Sequence, residues 1–153
     1  MDGLELLKQD HRKVEELFSQ FEKSETDQQK ERLFEQIRHE LEVHTYIEEA
    51  ALYPALQQHE ELKDMVLEAI EEHRQVKNLL RESERLTEGS ERLDAKVKVM
   101  SEDVEHHVQE EEEKMFPQVR RLYSQAQLDE LGQQLTAAKQ EFDSQPRTRS
   151  TVG

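Results

Sequence analysis

Apolar positions recur along most of the chain at alternating spacings of three and four residues, the period of an amphipathic helix. Asp2 is a suitable N-cap for the first such helix. The polar stretch 23–29 then predicts a turn, and Thr26 is the candidate cap of the next helix. The first helix is defined by a stripe of Leu4, Leu7, His11, Val14, Phe18 and Phe21.

Two further stripes follow at the same period. One covers residues 33–55, and Pro54 is expected to kink or weaken the end of this second helix. The next covers residues 60–87 and predicts a third helix. Gly89 is a natural residue for its C-terminal end.

The last part of the chain predicts a fourth helix and a fifth. The fourth covers residues 93–115, with Ser90 as its candidate cap and Pro117 beyond its end. The fifth is expected to be shorter, with an apolar stripe from Leu128 to Phe142.

Long helices joined by short loops favour an all-α, up-down-up-down four-helix bundle. We assign the bundle to residues 1–122 and a C-terminal helix packed on or beside it to residues 123–143. Residues 144–153 are expected to be a disordered tail.

The composition supports long helices with narrow apolar faces. Only 33% of the 153 residues are hydrophobic and 37% are charged, while the chain has four glycines and three prolines. Ala, Glu, Leu, Lys and Arg dominate, as in coiled coils and bundles.

Charge and cysteine content exclude several classes of function. A net charge of −15 disfavours nucleic acid and anionic membranes as partners. With no cysteine there is no disulfide, thiolate catalysis or iron–sulfur ligation. No run approaches the ~18 apolar residues of a membrane span, and the first residues lack the layout of a signal peptide. We therefore expect a cytoplasmic protein, and its oligomeric state is left open.

The two halves of the chain repeat each other. DHRKVEEL (10–17) matches EHRQVKNL (72–79), and HTYIEEAALYP (44–54) matches HVQEEEEKMFP (107–117). The repeat predicts a bundle of two equivalent hairpins related by a pseudo-twofold axis.

Six polar residues lie in the apolar stripes and pair through this repeat. Counting residues to and from each loop, at 1.5 Å per residue, places all six at one level of the bundle within about 6 Å. A buried imidazole or carboxylate is costly unless it is paired or bound to a cation. The six residues are His11, His44, Glu48, His73, His107 and Glu111.

Four imidazoles and two carboxylates are too many donors for one tetrahedral zinc ion. They suit two octahedral ions, each with two histidines, bridged by Glu48 and Glu111. Imidazole with carboxylate is typical of non-haem iron, although manganese or a mixed pair also fits. A ferritin-like site is set aside because the chain contains no Glu-x-x-His.

The pattern H…HxxxE…H…HxxxE, with its EExxLYP and EExxMFP endings, resembles the hemerythrin-like family of HHE cation-binding domains over about residues 1–122. The resemblance implies a non-haem di-iron centre of two iron ions, expected as an oxo- or hydroxo-bridged pair. It carries over the following residues as metal ligands: His11, His44, Glu48, His73, His107 and Glu111.

The chain departs from the oxygen-carrying hemerythrins at two positions. Lys77 stands where they have a second histidine on helix 3, and Glu111 follows the helix-4 histidine by four residues where they have an Asp at five. Lys77 is interpreted as a solvated or gating residue, because an ammonium group cannot bind a metal. The pattern is closer to bacterial hemerythrin-like proteins, which implies peroxide handling, oxygen or nitric oxide binding, or sensing of iron or redox state.

Tyr53 is a possible additional ligand because it matches Phe116 in the repeat, so one hydroxyl breaks the symmetry. An ideal helix would turn Tyr53 about 140° away from Glu48, and Pro54 is the feature expected to swing it inward.

Other polar residues have predicted roles outside the ligand set. Glu40 and Asp103 are candidates to orient the histidines of helices 2 and 4. In the run 110–113 only the second glutamate is expected to face inward. His39, His59 and His106 are expected to be exposed.

Two functions remain open from the sequence. The first is a catalase-like di-iron oxidoreductase that reacts with hydrogen peroxide or dioxygen. The second is a module that binds, senses or stores oxygen, nitric oxide or iron without turnover. Either one predicts a small-molecule ligand, since no pocket for a larger substrate is evident in the pattern.

Overall fold

The computed structural model describes residues 1–86 and 91–145, and all regular structure in these ranges is helical. The α-helices are α1 (Gly3–Lys23), α2 (Asp27–Ile47), α3 (Tyr53–Leu56), α4 (Lys63–Glu84), α5 (Glu91–Glu110), α6 (Phe116–Leu122) and α7 (Gln125–Ser144). Two π-helical segments, Glu48–Leu52 and Glu111–Met115, connect α2 to α3 and α5 to α6, and a 3₁₀ turn at Glu60–Leu62 precedes α4.

Helices α1, α2, α4 and α5 form the predicted four-helix bundle. Each packs on its neighbours in the cyclic order α1, α2, α4, α5. The caps of the first two helices are as predicted: Asp2 accepts a hydrogen bond from the Glu5 backbone N–H at 2.9 Å, and Thr26 accepts one from Gln29 at 3.1 Å. The all-α bundle architecture is confirmed. No helix within the described ranges has the length and apolarity that a bilayer crossing requires.

A π-helical segment precedes each of the two prolines, Pro54 and Pro117, that mark predicted helix ends. At Pro54, where a kink was expected, the chain therefore continues inward. In a π-helix the N–H group bonds to the carbonyl five residues earlier, which adds one residue to the turn. The Tyr53 N–H bonds to the Glu48 carbonyl, and the Phe116 N–H bonds to the Glu111 carbonyl. The extra residue brings both aromatic rings back onto the inward face.

The apolar core has two layers, one on each side of the predicted histidine level. One layer is formed by the ends of the bundle helices that contact α7, and contains Leu4, Leu7, Ile47, Leu52, Leu56, Leu62, Val66, Met115, Phe116 and Val119. The other fills the opposite end of the bundle with Val14, Leu17, Phe18, Phe21, Phe34, Ile37, Leu41, Val76, Leu80, Leu93, Val97, Met100, Val104 and Val108.

The fifth helix packs closely on the start of the first. It has 20 residues and is as long as the bundle helices, because a capping box at Ser124 starts it early. Glycines make the close approach feasible: a Cβ atom on Gly132 would lie 2.1 Å from the Met1 carbonyl oxygen, and one on Gly3 would lie 2.8 Å from Leu131.

Some sequence predictions fall outside the described residues. These are Thr87 in the third stripe, the helix end at Gly89, the cap at Ser90 and most of the expected tail, residues 146–153. Helix α7 itself continues to Ser144. The division into a bundle at 1–122 and a separate helix at 123–143 stays a prediction.

Candidate metal centre

The six predicted side chains meet between the two apolar layers and are all buried. Their donor atoms form two groups of four, and within each group the atoms lie within 4.8 Å of one another. One group contains His11 and His44, the other contains His73 and His107, and both share Glu48 and Glu111. The arrangement is the pseudo-twofold pair that the repeat predicts.

Several donor atoms that face the interior of the site lie close together, but their angles do not allow hydrogen bonds between them. His11 Nε2 is 3.2 Å from Glu111 Oε1, and His44 Nε2 is 3.2 Å from Glu48 Oε2. These four atoms and the Nε2 of His107 are buried without a hydrogen-bond partner in the described structure. Adjacent ligands of an octahedral ion with bonds of about 2.1 Å lie roughly 3 Å apart, so the spacing fits two metal positions.

The outward nitrogen of every histidine contacts a carboxylate. Asp10 lies 3.4 Å from Nδ1 of His44, and the other three carboxylates each lie 2.6 Å from their histidine. An ionised carboxylate only accepts, so each Nδ1 donates its proton outward and Nε2 is the nitrogen that faces the interior of the site. The four pairs are Glu112 on His11, Asp10 on His44, Glu49 on His73 and Glu72 on His107. We call Asp10, Glu49, Glu72 and Glu112 the outer carboxylates.

The outer carboxylates follow the twofold repeat. Asp10 and Glu72 precede the histidines of α1 and α4, and each reaches the histidine of the next bundle helix. Glu49 directly follows Glu48 and contacts the histidine of α4. Glu112 directly follows Glu111 and contacts the histidine of α1. The sequence signal that could have found them is an acidic residue directly before His11 and His73 and directly after Glu48 and Glu111.

Cationic side chains contact the outer carboxylates from outside. Lys139 of α7 lies 2.9 Å from Asp10, and Lys77 lies 3.1 Å from Glu49. Arg12 pairs with Glu112. The fifth helix therefore contributes a charge that is separated from the metal position by two residues, Asp10 and His44.

The predicted orienting roles of Glu40 and Asp103 are wrong. Glu40 pairs with Lys13 at 2.6 Å on the side of the bundle. Asp10 and Glu72 contact His44 and His107 in their place. A residue four positions earlier on the same helix points along the axis, whereas the neighbouring helix can approach Nδ1 from the side.

Tyr53 reaches the centre of the site and is 1% exposed. Its hydroxyl donates to Glu111 at 2.5 Å and to Glu48 at 3.0 Å, and lies 3.3 Å from His73 Nε2. Burial and the charge of Glu111 hold the pKa of Tyr53 well above its ordinary value, so the phenol keeps its proton in the metal-free site. The equivalent Phe116 stacks on His11 with a centroid distance of 6.2 Å.

Charges within the metal-free site shift the pKa values of its groups. Burial would lower the pKa of His44, but Glu48 and Asp10 raise it to about 10. Burial would also lower the pKa of His107. The charge of Glu111 is the main cause that raises this pKa well above its ordinary value. Burial would raise the pKa of Glu48, but the His44 charge together with hydrogen bonds from His107, His44 and His73 holds it well below its ordinary value. Protons therefore balance the carboxylates at neutral pH, and a metal must displace them.

A small chamber lies against the four histidines on the side of the Val14 layer. Its volume is about 30 Å³, and valines and Leu41 form its apolar wall. One buried water needs roughly 10–15 Å³. The chamber therefore has room for a molecule of about two heavy atoms.

The remaining histidines lie away from the metal positions. His106 is exposed, as predicted. His39 and His59 are half-buried, because their rings pack against Phe142 and Tyr123.

Comparisons with known proteins agree with this geometry. The family described as hemerythrin HHE cation binding domain matches residues 2–119. The crystal structure of a hemerythrin HHE cation binding domain-containing protein from Mycobacterium kansasii superposes with a TM-score of 0.79. The two are 26% identical, and the match covers 93% of this chain and 87% of that one.

A curated relative is a DNA nickase from Nostoc sp. (strain PCC 7120 / SAG 25.82 / UTEX 2576). It is 27% identical over 139 residues, which is 91% of this chain and 39% of the relative. The chain thus spans about two-fifths of the length of this relative.

Proposed function

The chain belongs to the hemerythrin HHE cation-binding family, and from this premise we propose that it is a di-iron protein that reacts with hydrogen peroxide in a catalase-like way. The observation that carries the proposal is the set of buried, unpartnered donor atoms that face each other in two groups. The spacing of these atoms fits two divalent ions, which would displace the protons that balance the carboxylates in the metal-free protein.

The proposed ligands divide equally between the two ions. His11 and His44 hold one, His73 and His107 hold the other, and the carboxylates of Glu48 and Glu111 are shared. Tyr53 is proposed as an additional ligand of the ion held by His73, because its hydroxyl lies near His73 Nε2. Imidazole combined with carboxylate is typical of non-haem iron sites.

Bound iron would supply the electrons for cycling between the ferrous and ferric states, and two peroxide molecules would yield dioxygen and two water molecules. The chain supplies the surroundings. The outer carboxylates fix the imidazoles, and the chamber of about 30 Å³ admits a molecule of about two heavy atoms. Its apolar wall keeps bulk water away from the ions.

Sustained oxygen release tests the proposal. We expect iron-loaded protein to release one dioxygen for every two peroxides over many turnovers, measured with an oxygen electrode. Metal-free protein and an equal amount of free iron are the controls. A single stoichiometric event, with no turnover, would instead favour the alternative of a module that binds or senses oxygen, nitric oxide or iron.

We do not extend DNA nicking to this chain. Binding to DNA depends on basic side chains that replace phosphate counterions, and the net charge here is −15. We expect supercoiled plasmid to remain intact in a nicking assay at low salt, with or without iron. Conversion to open circles by iron-loaded protein, beyond the level of free iron, would contradict this expectation.

A further inference from the structure

A surface cleft lies beside the chamber and shares a wall with it. The cleft has a volume of about 560 Å³ and lies between α2, α4 and α7. Thr45 lines both the cleft and the chamber. It is 6% exposed, and its hydroxyl donates to the Glu42 carbonyl at 3.3 Å, which fixes the side chain.

We propose that this cleft is the entrance through which a small uncharged oxidant reaches the metal positions, and that Thr45 is its gate. The inference rests on the proposed function, because it names the route to the same site. Thr45 is the one described residue that lines both spaces.

The chemistry of the cleft suits peroxide or dioxygen. Lys77 and Glu49 pair at 3.1 Å in its lining, next to the imidazole of His73. Arg81 and the buried Leu80 also line it. The charged groups of this mixed lining can hydrogen-bond a solute such as peroxide, and the narrow apolar chamber behind it excludes larger molecules.

The repeat provides a matched control position. Val108 is the twofold equivalent of Thr45, and it directly follows His107 of α5. It lines the chamber but is not part of the cleft lining. A methyl group added at either position crowds the chamber, while only the change at position 45 narrows the passage.

A competing route exists between α4 and α5. A recess of about 30 Å³ there reaches His107 and Glu111, and Ala69 forms part of its wall. The experiment therefore includes this position.

Nitric oxide binding to the di-ferrous protein provides the measurement, by stopped-flow association and by release into a scavenger. Closing an entrance slows association and release by the same factor and leaves the affinity unchanged. Crowding the chamber instead destabilises the bound state, which changes the affinity and by itself speeds release. We expect Thr45→Ile to slow both rates at least about tenfold relative to Thr45→Val, and Val108→Ile to leave the release rate unslowed.

A second variant guards against a folding defect in Thr45→Ile. Ala50 is exposed and lines the cleft, so Ala50→Trp should fill the cleft without disturbing the core, and should slow both rates. Metal content and circular dichroism should match wild type in every variant used.

Two outcomes would overturn the inference. Equal release rates in Thr45→Ile and Val108→Ile, with Ala50→Trp like wild type, would exclude the cleft. Slowed release in Ala69→Val alone would place the entrance between α4 and α5. Wild-type protein that binds nitric oxide but evolves no oxygen from peroxide would refute the proposed function, while the rate comparison would still decide the entrance.

Discussion

Each buried histidine uses its two nitrogens for different tasks. One faces the metal positions and the other donates to an outer carboxylate, so the ring orientation is determined before any ion binds. This division gives the four outer carboxylates the role of fixing the imidazoles, separate from the role of the ligands. It also gives separate variants for the two tasks.

The outer carboxylates should control metal affinity. Loss of such a partner typically lowers affinity 10–100-fold, so we expect a decrease of that order for Glu72→Gln, whose carboxylate lies 2.6 Å from His107 Nδ1. Competition against a chelator with ferrous or cobaltous ion measures it. The control is Glu40→Gln, which removes a charge that pairs only with the side chain of Lys13 in the described contacts. Equal affinities for the two variants would contradict the role.

The stability of the metal-free protein should fall as pH rises above neutrality. The pKa of His44 is about 10 in the folded protein, against an ordinary value of 6.5. The folded state therefore binds one more proton than the unfolded state between these values. Its free energy of unfolding should decrease by about 1.4 kcal/mol per pH unit from this group alone.

Below pH 4.5 the sign reverses, since the lowered pKa of Glu48 makes the folded state resist protonation. Denaturant unfolding of metal-free protein from pH 4 to pH 9.5 should thus give maximal stability between about 4.5 and 6.5, values set by the ordinary pKa of each group. His44→Gln should flatten the alkaline limb. A flat profile in wild type would mean that these groups are not charged in the folded state.

At the scale of elements, the repeat and the helical period were enough to predict the four bundle helices and the level of the six donors. They were not enough to predict that the Tyr53 side chain points into the site. Its orientation depends on a π-helical segment, and one additional residue in a turn leaves the apolar spacing on either side unchanged. Pro54 signalled a disturbance at this place but gave no indication of its direction.

The fifth helix shows the same limit. Its apolar stripe was readable, whereas its docking depends on the near contact of two glycines, which carry no periodic signal. Its charged end also reaches the site, because Lys139 contacts Asp10. Only the packed structure brings these residues, 129 positions apart, together.

Docking of α7 should be sensitive to the size of one side chain. Gly132→Ala places a methyl group where the Met1 carbonyl now lies, at 2.1 Å. Backbone atoms must shift, and overpacking of this kind costs about 1–3 kcal/mol. We expect a decrease in Tm of several degrees by differential scanning calorimetry. Gln134→Ala, at an exposed position of the same helix, is the control and should leave Tm nearly unchanged.

The whole molecule consists of two apolar layers separated by the layer of buried histidines and glutamates. Because only 33% of the residues are hydrophobic, the bundle can be stable only if the charges of this middle layer are neutralised. Protons do so in the metal-free protein, through the raised pKa values of His44, His73 and His107. Metal ions and protons therefore compete for the same atoms. Stability, metal affinity and pH are linked properties of the entire bundle.

Metal should stabilise the bundle, and more so as pH rises. An ion that binds only the folded state adds about 2.7 kcal/mol at a hundredfold excess over its Kd, roughly 5–11 °C in Tm for a chain of this size. We expect chelation under reducing conditions to lower Tm by at least this much at pH 7.5, and ferrous iron in anaerobic buffer to restore it. At pH 6 the difference should shrink, because the protons that iron must displace are held more firmly while the metal-free protein is near its most stable. Calorimetry on loaded and metal-free protein at both pH values measures this. A Tm that is indifferent to metal would mean that protons alone satisfy the histidines, and the di-iron proposal would then be wrong.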